Sequence, residues 1–341
     1  MTDLPLVCIC IPTYNSERTV RETLLSILSQ TYRNLVVHIS DNASTDDTIK
    51  VIESVADHRV RIHRQSVNVG GEENFTKCIT LAEGKYTAIF HSDDLYESQM
   101  VERQVAFLER HAEAGAVFTS ASTIDEAGKR FGEINFPVGL GSFDNMYGFE
   151  TIFKAVLRHS NFLICSSVMA RTWVYQQEIR CWRGGLFKNS ADLDVWLRIL
   201  RKHRVGMLPV HLMQYRISSY QYSAKVRSKT ERSDFFLVMD HYLDQDDVLN
   251  MLNCDDIENY ARLDRRDRIM RAVNLFLNSH YEEAKSLLHD TFSWKAWKAG
   301  LQSKRGFGVL IVGIYLRGLL QFRLEKTGQL TLSFFRRVLR R

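Results

Sequence analysis

The residue types able to do chemistry gather in short polar clusters, each following an apolar run. Pro12-Thr-Tyr-Asn15 follows Leu6–Ile11, Asp41-Asn42 follows Leu35–Ser40, and Ser92-Asp93-Asp94 follows Tyr86–His91. Taken singly, each cluster has an ordinary structural explanation. Asp-Asn after a strand makes a turn, because both side chains bond their own backbone. Adjacent aspartates can cap the next helix. Three such clusters on one sheet edge point elsewhere, since open α/β sheets bind ligands beyond the carboxyl ends of their strands. A carboxylate pair at the end of an apolar strand suits Mg2+ or Mn2+, hard cations that take oxygen ligands and share them with substrate phosphates. A further carboxylate, Asp192, lies near the start of a helical pattern, where a negative charge also favours the helix dipole.

These clusters need a scaffold. Leu6–Ile11 is a continuous apolar run ended by Pro12, the pattern of a strand buried on both faces. Val20, Leu24, Ile27 and Leu28 recur with helical spacing, and Ser16 is the expected cap. Leu35–Ser40 reads as a second strand, followed by a short helix capped by Thr45, and Val60–His63 as a third. A helix over 72–83, ended by Gly84, precedes strand Tyr86–His91, and a helix with Val101, Val105 and Leu108 follows. This alternation predicts a mainly parallel sheet with helices on both faces. Further on, Ala116–Ile124, Phe162–Ala170 and Val205–Arg216 read as strands and 191–203 as an amphipathic helix. Beyond about residue 228 only helical patterns remain, at 234–243 and 267–289.

Composition narrows the class. The chain has 341 residues, 18 Gly and 4 Pro, too few for collagen-like or Pro-rich disordered protein. The first residues lack the basic region of a signal peptide. The six cysteines form no zinc-ligand spacing, and Cys8 and Cys10 share one strand face as expected core thiols, so a reducing cytoplasm fits. The formal charge of +5 conceals an asymmetry: from Lys295 to Arg341 eleven basic residues face one acid, Glu325, giving that segment +10 and residues 1–294 a net −5. Within it, residues 306–322 are mostly apolar but interrupted by Arg317. At ~1.5 Å per residue they reach about 25 Å, short of the ~30 Å hydrocarbon core. An interfacial helix is expected rather than a span, with Trp294, Trp297, Lys298, Lys304, Arg305 and Arg323 flanking it. A helix packed on the catalytic domain with its basic face solvated is the alternative. No nucleic-acid motif accompanies the basic residues, so nucleic acid is not an expected partner.

The ordered set of motifs resembles one known family. Cys10-Ile-Pro-Thr-Tyr-Asn15, Ser29-Gln-Thr-Tyr32, Ser40-Asp-Asn-Ala-Ser-Thr-Asp-Asp-Thr48, Asn68-Val-Gly70, Ala82-Glu-Gly84, His91-Ser-Asp-Asp94 and Ala191-Asp-Leu-Asp-Val-Trp-Leu-Arg198 are similar to the motifs of family two inverting glycosyltransferases, which have the GT-A fold. Tyr215-Arg216 with Ser223 resembles the loop that closes their site. The resemblance covers roughly residues 5–225. It implies that Tyr14 lies against the uracil of a nucleotide-sugar donor, with Pro12 and Thr13 shaping the base pocket and Asp41 accepting the imide N–H. It also implies that Asp93 sits near the ribose and the metal, that Asp94 coordinates Mn2+ or Mg2+ on the diphosphate, and that Asp192 is the base. Arg216 would help stabilise the leaving diphosphate, and Asp194 would be a solvated neighbour. Three positions differ from the family's commonest pattern: His91 stands where an acid is frequent, Ala191 precedes Asp192 in place of Glu, and Ser218 stands where many members carry His.

The expected protein is thus a cytoplasmic inverting glycosyltransferase, peripheral at the inner face of the cell membrane. It would act on a UDP- or dTDP-sugar and a lipid-linked or polysaccharide acceptor. Its expected parts are a GT-A catalytic domain over 1–227, a helical extension over 228–293 and a basic amphipathic membrane-associating tail over 294–341. The rival readings are a non-catalytic sugar-nucleotide-binding or assembly protein and a nucleotidyltransferase of the same fold. The latter is disfavoured because no Gly-rich basic loop follows the first strand.

Overall fold

A computed structural model describes residues 4–141, 145–218, 230–289, 291 and 304–338, without side-chain placement for 304–306 and 334–338. Ser223, Trp294, Lys295, Trp297 and Lys298 lie outside the described residues. The chain divides into two compact units, Met1–Ser218 and Ser219–Arg341.

The first unit is built on one ten-stranded sheet. Its strands are β1 (Val7–Thr13), β2 (Leu35–Asp41), β3 (Val60–Arg64), β4 (Tyr86–Ile89), β5 (Leu95–Tyr96), β6 (Ala114–Ile124), β7 (Arg130–Ile134), β8 (Met146–Tyr147), β9 (Met169–Arg171) and β10 (Arg204–Arg216). The order is β3-β2-β1-β4-β9-β6-β10-β5, with β7 paired to β6 and β8 to β10. Pairing is parallel from β3 through β4 and between β6 and β10, while the short strands β5, β7, β8 and β9 run antiparallel. β1 passes through Pro12 to Thr13 and does not stop at the proline.

Alternation along β1 shows why both faces are covered. Val7, Ile9 and Ile11 join one core cluster with Val20, Leu24 and Ile27 of helix α1 (Val20–Leu28) and with Val37 and Ile39 of β2. Cys8 and Cys10 face the other way, against the helix Gly71–Leu81, where Cys10 Sγ donates to the Cys78 carbonyl at 3.4 Å. Their sulfurs are 3.6 Å apart and both thiols are free, so they are core thiols as expected. Gly84 turns the chain into β4 at φ +73°; a Cβ there would come within 2.5 Å of the Leu6 carbonyl oxygen.

Several expected elements differ. Phe162–Ala170 is not one strand: a short helical turn at Cys165–Ser167 leaves only β9. Adjacent buried serines, 166 and 167, do not suit a two-sided apolar strand; the Ser167 hydroxyl bonds the turn's own Ile164 carbonyl, and the Ser166 hydroxyl bonds Asp94. Ser16 and Thr45 cap no helix; α1 begins after Thr19, and the helix Thr48–Glu53 after Asp47. The helical pattern at 267–289 divides into Cys254–Leu277 and Tyr281–Leu287, broken where Ser279 takes φ 65°.

The second unit is helical among its described residues. Ile269, Ala272, Val273 and Phe276 of Cys254–Leu277 share one core with Leu310, Leu316 and Leu319 of the helix Lys304–Gln321 and with Leu332 of Glu325–Val338. Helices on either side of residue 293 therefore pack together. No helix among the described residues is long and apolar enough to cross a membrane.

Candidate active site

Parallel pairing of β1 with β2 sets Thr13 beside Asp41 at the carboxyl edge of the sheet. The Thr13 hydroxyl donates to Asp41 Oδ1 at 3.3 Å, the Ser44 hydroxyl donates to the same oxygen at 2.5 Å, and the Ser44 N–H reaches Oδ2 at 3.2 Å. Asp41 is fully buried and braces the turn after β2, in which Ala43 adopts φ 58°. Asn42 anchors the Asn68-Val-Gly70 loop: its amide donates to Asn68 Oδ1 at 3.0 Å and to the Gly70 carbonyl at 3.1 Å, and its oxygen accepts the Val69 N–H. Thr13 is buried, Pro12 half-buried, and the Tyr14 ring is 47% exposed, an aromatic face on the rim of this edge.

The 91–94 loop, one strand over, is held from two sides. From α1 and the turn before it, the Thr19 and Thr23 hydroxyls donate to the Ser92 carbonyl at 2.9 and 3.0 Å, Thr23 also reaches the Asp94 carbonyl, and Ser16 and Ser92 hydroxyls lie 2.8 Å apart. From the end of β10, the Arg216 N–H donates to Asp94 Oδ1 at 2.9 Å and its Nε to the Asp93 carbonyl at 2.7 Å. The rest of that guanidinium donates to the carbonyls of Asp125 and Glu126 and pairs with Glu22 at 3.0 Å. Arg216 is thus a buried clamp, 4% exposed at its side chain, and differs from the diphosphate-contacting arginine expected of it.

Asp94, the expected metal ligand, is enclosed by its own partners. It has no exposed surface, and its second oxygen accepts the Ser166 hydroxyl at 2.5 Å. Burial, and then the charge of Asp93, push its carboxyl well above the usual range. Asp93 and His91 are only partly buried. His91 Nδ1 lies 3.9 Å from Asp94 Oδ2, its Nε2 is buried without a hydrogen-bond partner, and Phe75 meets the ring edge-on. Burial lowers the imidazole pKa, favouring the neutral, ligating form. Ligand atoms of His91, Asp93 and Asp94 all lie within 4.8 Å of one another. An orphaned buried imidazole nitrogen beside two carboxylates fits a divalent cation.

The helix α7 (Ala191–Leu200) brings two more carboxylates in its first turn. Asp192 keeps some exposure and accepts a long contact from the Asn161 amide, 3.5 Å, beside backbone N–H groups of its own helix start. Desolvation by its surroundings raises its pKa to about 6. Asp194, expected to be solvated, is fully buried between two arginines. Its oxygens take both Nε and a terminal nitrogen of Arg183, and Arg198 Nε donates at 3.0 Å from one turn along. Burying Val195, Trp196 and Ile199 rolls Asp194 inward with them, and the arginines follow.

The two acidic places act on the same residues. Ser166, which bonds Asp94, adjoins Cys165; burial and then the charges of Asp192 and Asp94 raise the Cys165 pKa, and burial with the charges of Asp94 and Asp192 among others raises that of Tyr215. Sequence reasoning missed Ser166, Cys165, Asn161, Thr19 and Thr23. The doubled serine within an apolar run was the one available signal for Ser166, and hydroxyls four apart, at the start of α1 and one turn into it, were the signal for Thr19 and Thr23.

The glycosyl transferase family 2 profile matches residues 8–177, the span that contains β1, β2, β4 and the 91–94 loop. The chain belongs to glycosyl transferase family 2. It is similar to the putative glycosyltransferase EpsE of Bacillus subtilis, 36% identical over 38% of this chain and 48% of the relative, so it spans about half of that protein. It is also similar to the Escherichia coli UDP-Glc:alpha-D-GlcNAc-diphosphoundecaprenol beta-1,3-glucosyltransferase WfaP, 29% identical over 58% of this chain and 72% of the relative. In structure, this family 2 chain resembles S. aureus TarS in complex with UDP-GlcNAc, with a TM-score of 0.60 at 17% identity over 96% of this chain and 89% of the other. Mannosyltransferase PcManGT from Pyrobaculum calidifontis, in complex with GDP-Man and Mn2+, gives 0.54 at 17% identity over 97% and 86%. The fold is the GT-A fold, and the class is that of nucleotide-sugar-dependent glycosyltransferases.

Proposed function

We propose that this glycosyltransferase moves one sugar from a UDP- or dTDP-sugar to a hydroxyl of a lipid-linked or polysaccharide acceptor, inverting the anomeric carbon. The observation that carries the reading is the His91-Asp93-Asp94 group, its ligand atoms within 4.8 Å of one another, with a second, partly exposed carboxylate, Asp192, whose charge and that of Asp94 both reach Cys165 and Tyr215. A base on one side and a charge-accepting group on the other are what a single displacement needs.

The exposed Tyr14 ring stacks on the base, Pro12 and Thr13 shape its pocket, and Asp41 meets the imide N–H once Ser44 turns aside. Asp93 and His91 would hold a cation, Mn2+ or Mg2+, while Asp94 keeps the loop in place through Ser166 and the Arg216 N–H. When bound, that cation offsets the charge developing on the leaving diphosphate. Asp192 takes the acceptor hydroxyl's proton as its oxygen bonds the anomeric carbon, and the electron pair of the broken C–O bond leaves with the diphosphate. Arg216 acts through Asp93 and Asp94 and not on substrate. The printed name of WfaP, with its UDP-Glc donor and diphosphoundecaprenol acceptor, supports this donor and acceptor class, as does similarity to Escherichia coli chondroitin synthase, 28% identical over 58% of this chain. The corresponding workplace is the cytoplasmic face of a membrane.

The test is a panel of nucleotide sugars with Mn2+ and an undecaprenyl-diphosphate-linked sugar, read by NMR for the anomeric configuration of the product. Transfer from a UDP- or dTDP-sugar with inversion supports the reading. Binding of such a donor with neither hydrolysis nor transfer would make the chain a sugar-nucleotide-binding protein, and a retained configuration would remove the single-base mechanism.

A further inference from the structure

The helix Lys304–Gln321 is apolar on two opposite faces. Leu310, Leu316 and Leu319 turn into the core of the second unit. Phe307, Ile311, Ile314 and Tyr315, spaced i, i+4, i+7 and i+8, lie on the other side and are 38–47% exposed; Phe322, just past the helix end, continues the line at 70%. A helix that is hydrophobic all round requires an apolar environment all round, and a contiguous exposed apolar stripe marks a surface that something covers.

We infer that this stripe rests in the interface of an anionic lipid bilayer, with the helix lying along the surface. The inference extends the proposed use of a lipid-linked acceptor by naming the face that brings the enzyme to it. Charge selects the occupant. Arg317, Arg323 and Lys326 are exposed around the stripe, and the sequence from Lys295 to Arg341 carries a net +10. Each Lys or Arg near an anionic surface adds attraction, and a second copy of the chain would bring the same positive charge against it. Orientation follows from length and composition: no described helix can cross a membrane, whereas one lying flat inserts only its outer face. The inner face stays in the protein core.

The experiment uses the full chain with vesicles of phosphatidylglycerol and phosphatidylcholine and with vesicles of phosphatidylcholine alone. Wild-type protein should sediment with the anionic vesicles and less with the neutral ones. The double substitution Ile311→Asp with Ile314→Asp should reduce partitioning by about tenfold or more, from the lost apolar insertion of two half-exposed side chains. Donor hydrolysis in solution should be unchanged, since neither residue belongs to the candidate active site. Ile311→Trp gives an independent reading: its emission should shift to the blue with anionic vesicles. Equal sedimentation of wild type and double variant, or a tryptophan emission that ignores vesicles, overturns the inference. So does a wild-type dimer that the double variant converts to monomer while neither sediments. Absent donor hydrolysis in the wild type would strike the transferase reading and leave the sedimentation result standing.

Discussion

The loop at 91–94 and the first turn of α7 each hold two carboxylates, and in each place the two have been given different work. Asp94 and Asp194 are fully buried: one receives Ser166 and the Arg216 N–H, the other Arg183 and Arg198. Asp93 and Asp192 keep contact with solvent. The buried member of each pair fixes a backbone, and its neighbour presents a carboxylate from that backbone. A catalytic group gains precision from a neighbour that is locked, because a loosely held base loses orientation.

The sharpest way to break this comparison is at α7. Asp192→Asn should lower transfer by about a thousandfold, within the range expected for a lost general base, while UDP affinity measured by calorimetry stays within about twofold. Parallel loss of UDP binding would make Asp192 a donor-site residue. Its neighbour should behave in the opposite sense. Asp194→Ala removes the buried carboxylate that two arginines share, and chemical denaturation should show a loss of about 3 kcal/mol, discounted from a fully buried pair because Arg183 and Arg198 are 30% and 19% exposed. Asp192→Ala should cost under about 1 kcal/mol by the same measurement. Equal costs would erase the division of labour in α7.

At the loop the expected effects are smaller. Asp93→Ala should weaken UDP binding about tenfold in Mn2+, the scale of one lost charge-assisted contact, and leave binding in EDTA unchanged. Asp94→Ala should instead lower thermal stability, since it leaves the buried Ser166 hydroxyl and the Arg216 N–H without their acceptor. An Asp94→Ala protein of normal stability that loses only metal-dependent binding would return Asp94 to direct metal coordination.

The sequence carried the sheet edge well and the division of labour poorly, for a physical reason. Apolar runs and their terminal polar clusters are local patterns, so β1, β2 and β4 and the places of Asp41, Asp93 and Asp192 were legible. Which aspartate is buried depends on groups from distant segments: Ser166 stands 72 positions from Asp94, and the Arg216 N–H 122. Nothing local announces such partners. Even the Asp194–Arg198 pair, an i,i+4 carboxylate and guanidinium, did not reveal that Asp194 is buried, since its burial comes from how α7 packs. The helix Lys304–Gln321 was legible as apolar, but only its packing distinguishes the face that enters a core from the face that does not.

The central claim is that Asp192 acts as the base, and its desolvated carboxyl gives that claim a pH signature. With a pKa raised to about 6, Asp192 is protonated below that pH and competent above it, so activity must rise with pH. The measurement is kcat/KM for sugar transfer against pH, in wild type and in Asp192→Asn. A rising limb centred near pH 6 in the wild type, absent from the residual activity of the variant, is the predicted result. A limb that persists in the variant, or a wild-type profile flat through this range, would contradict it.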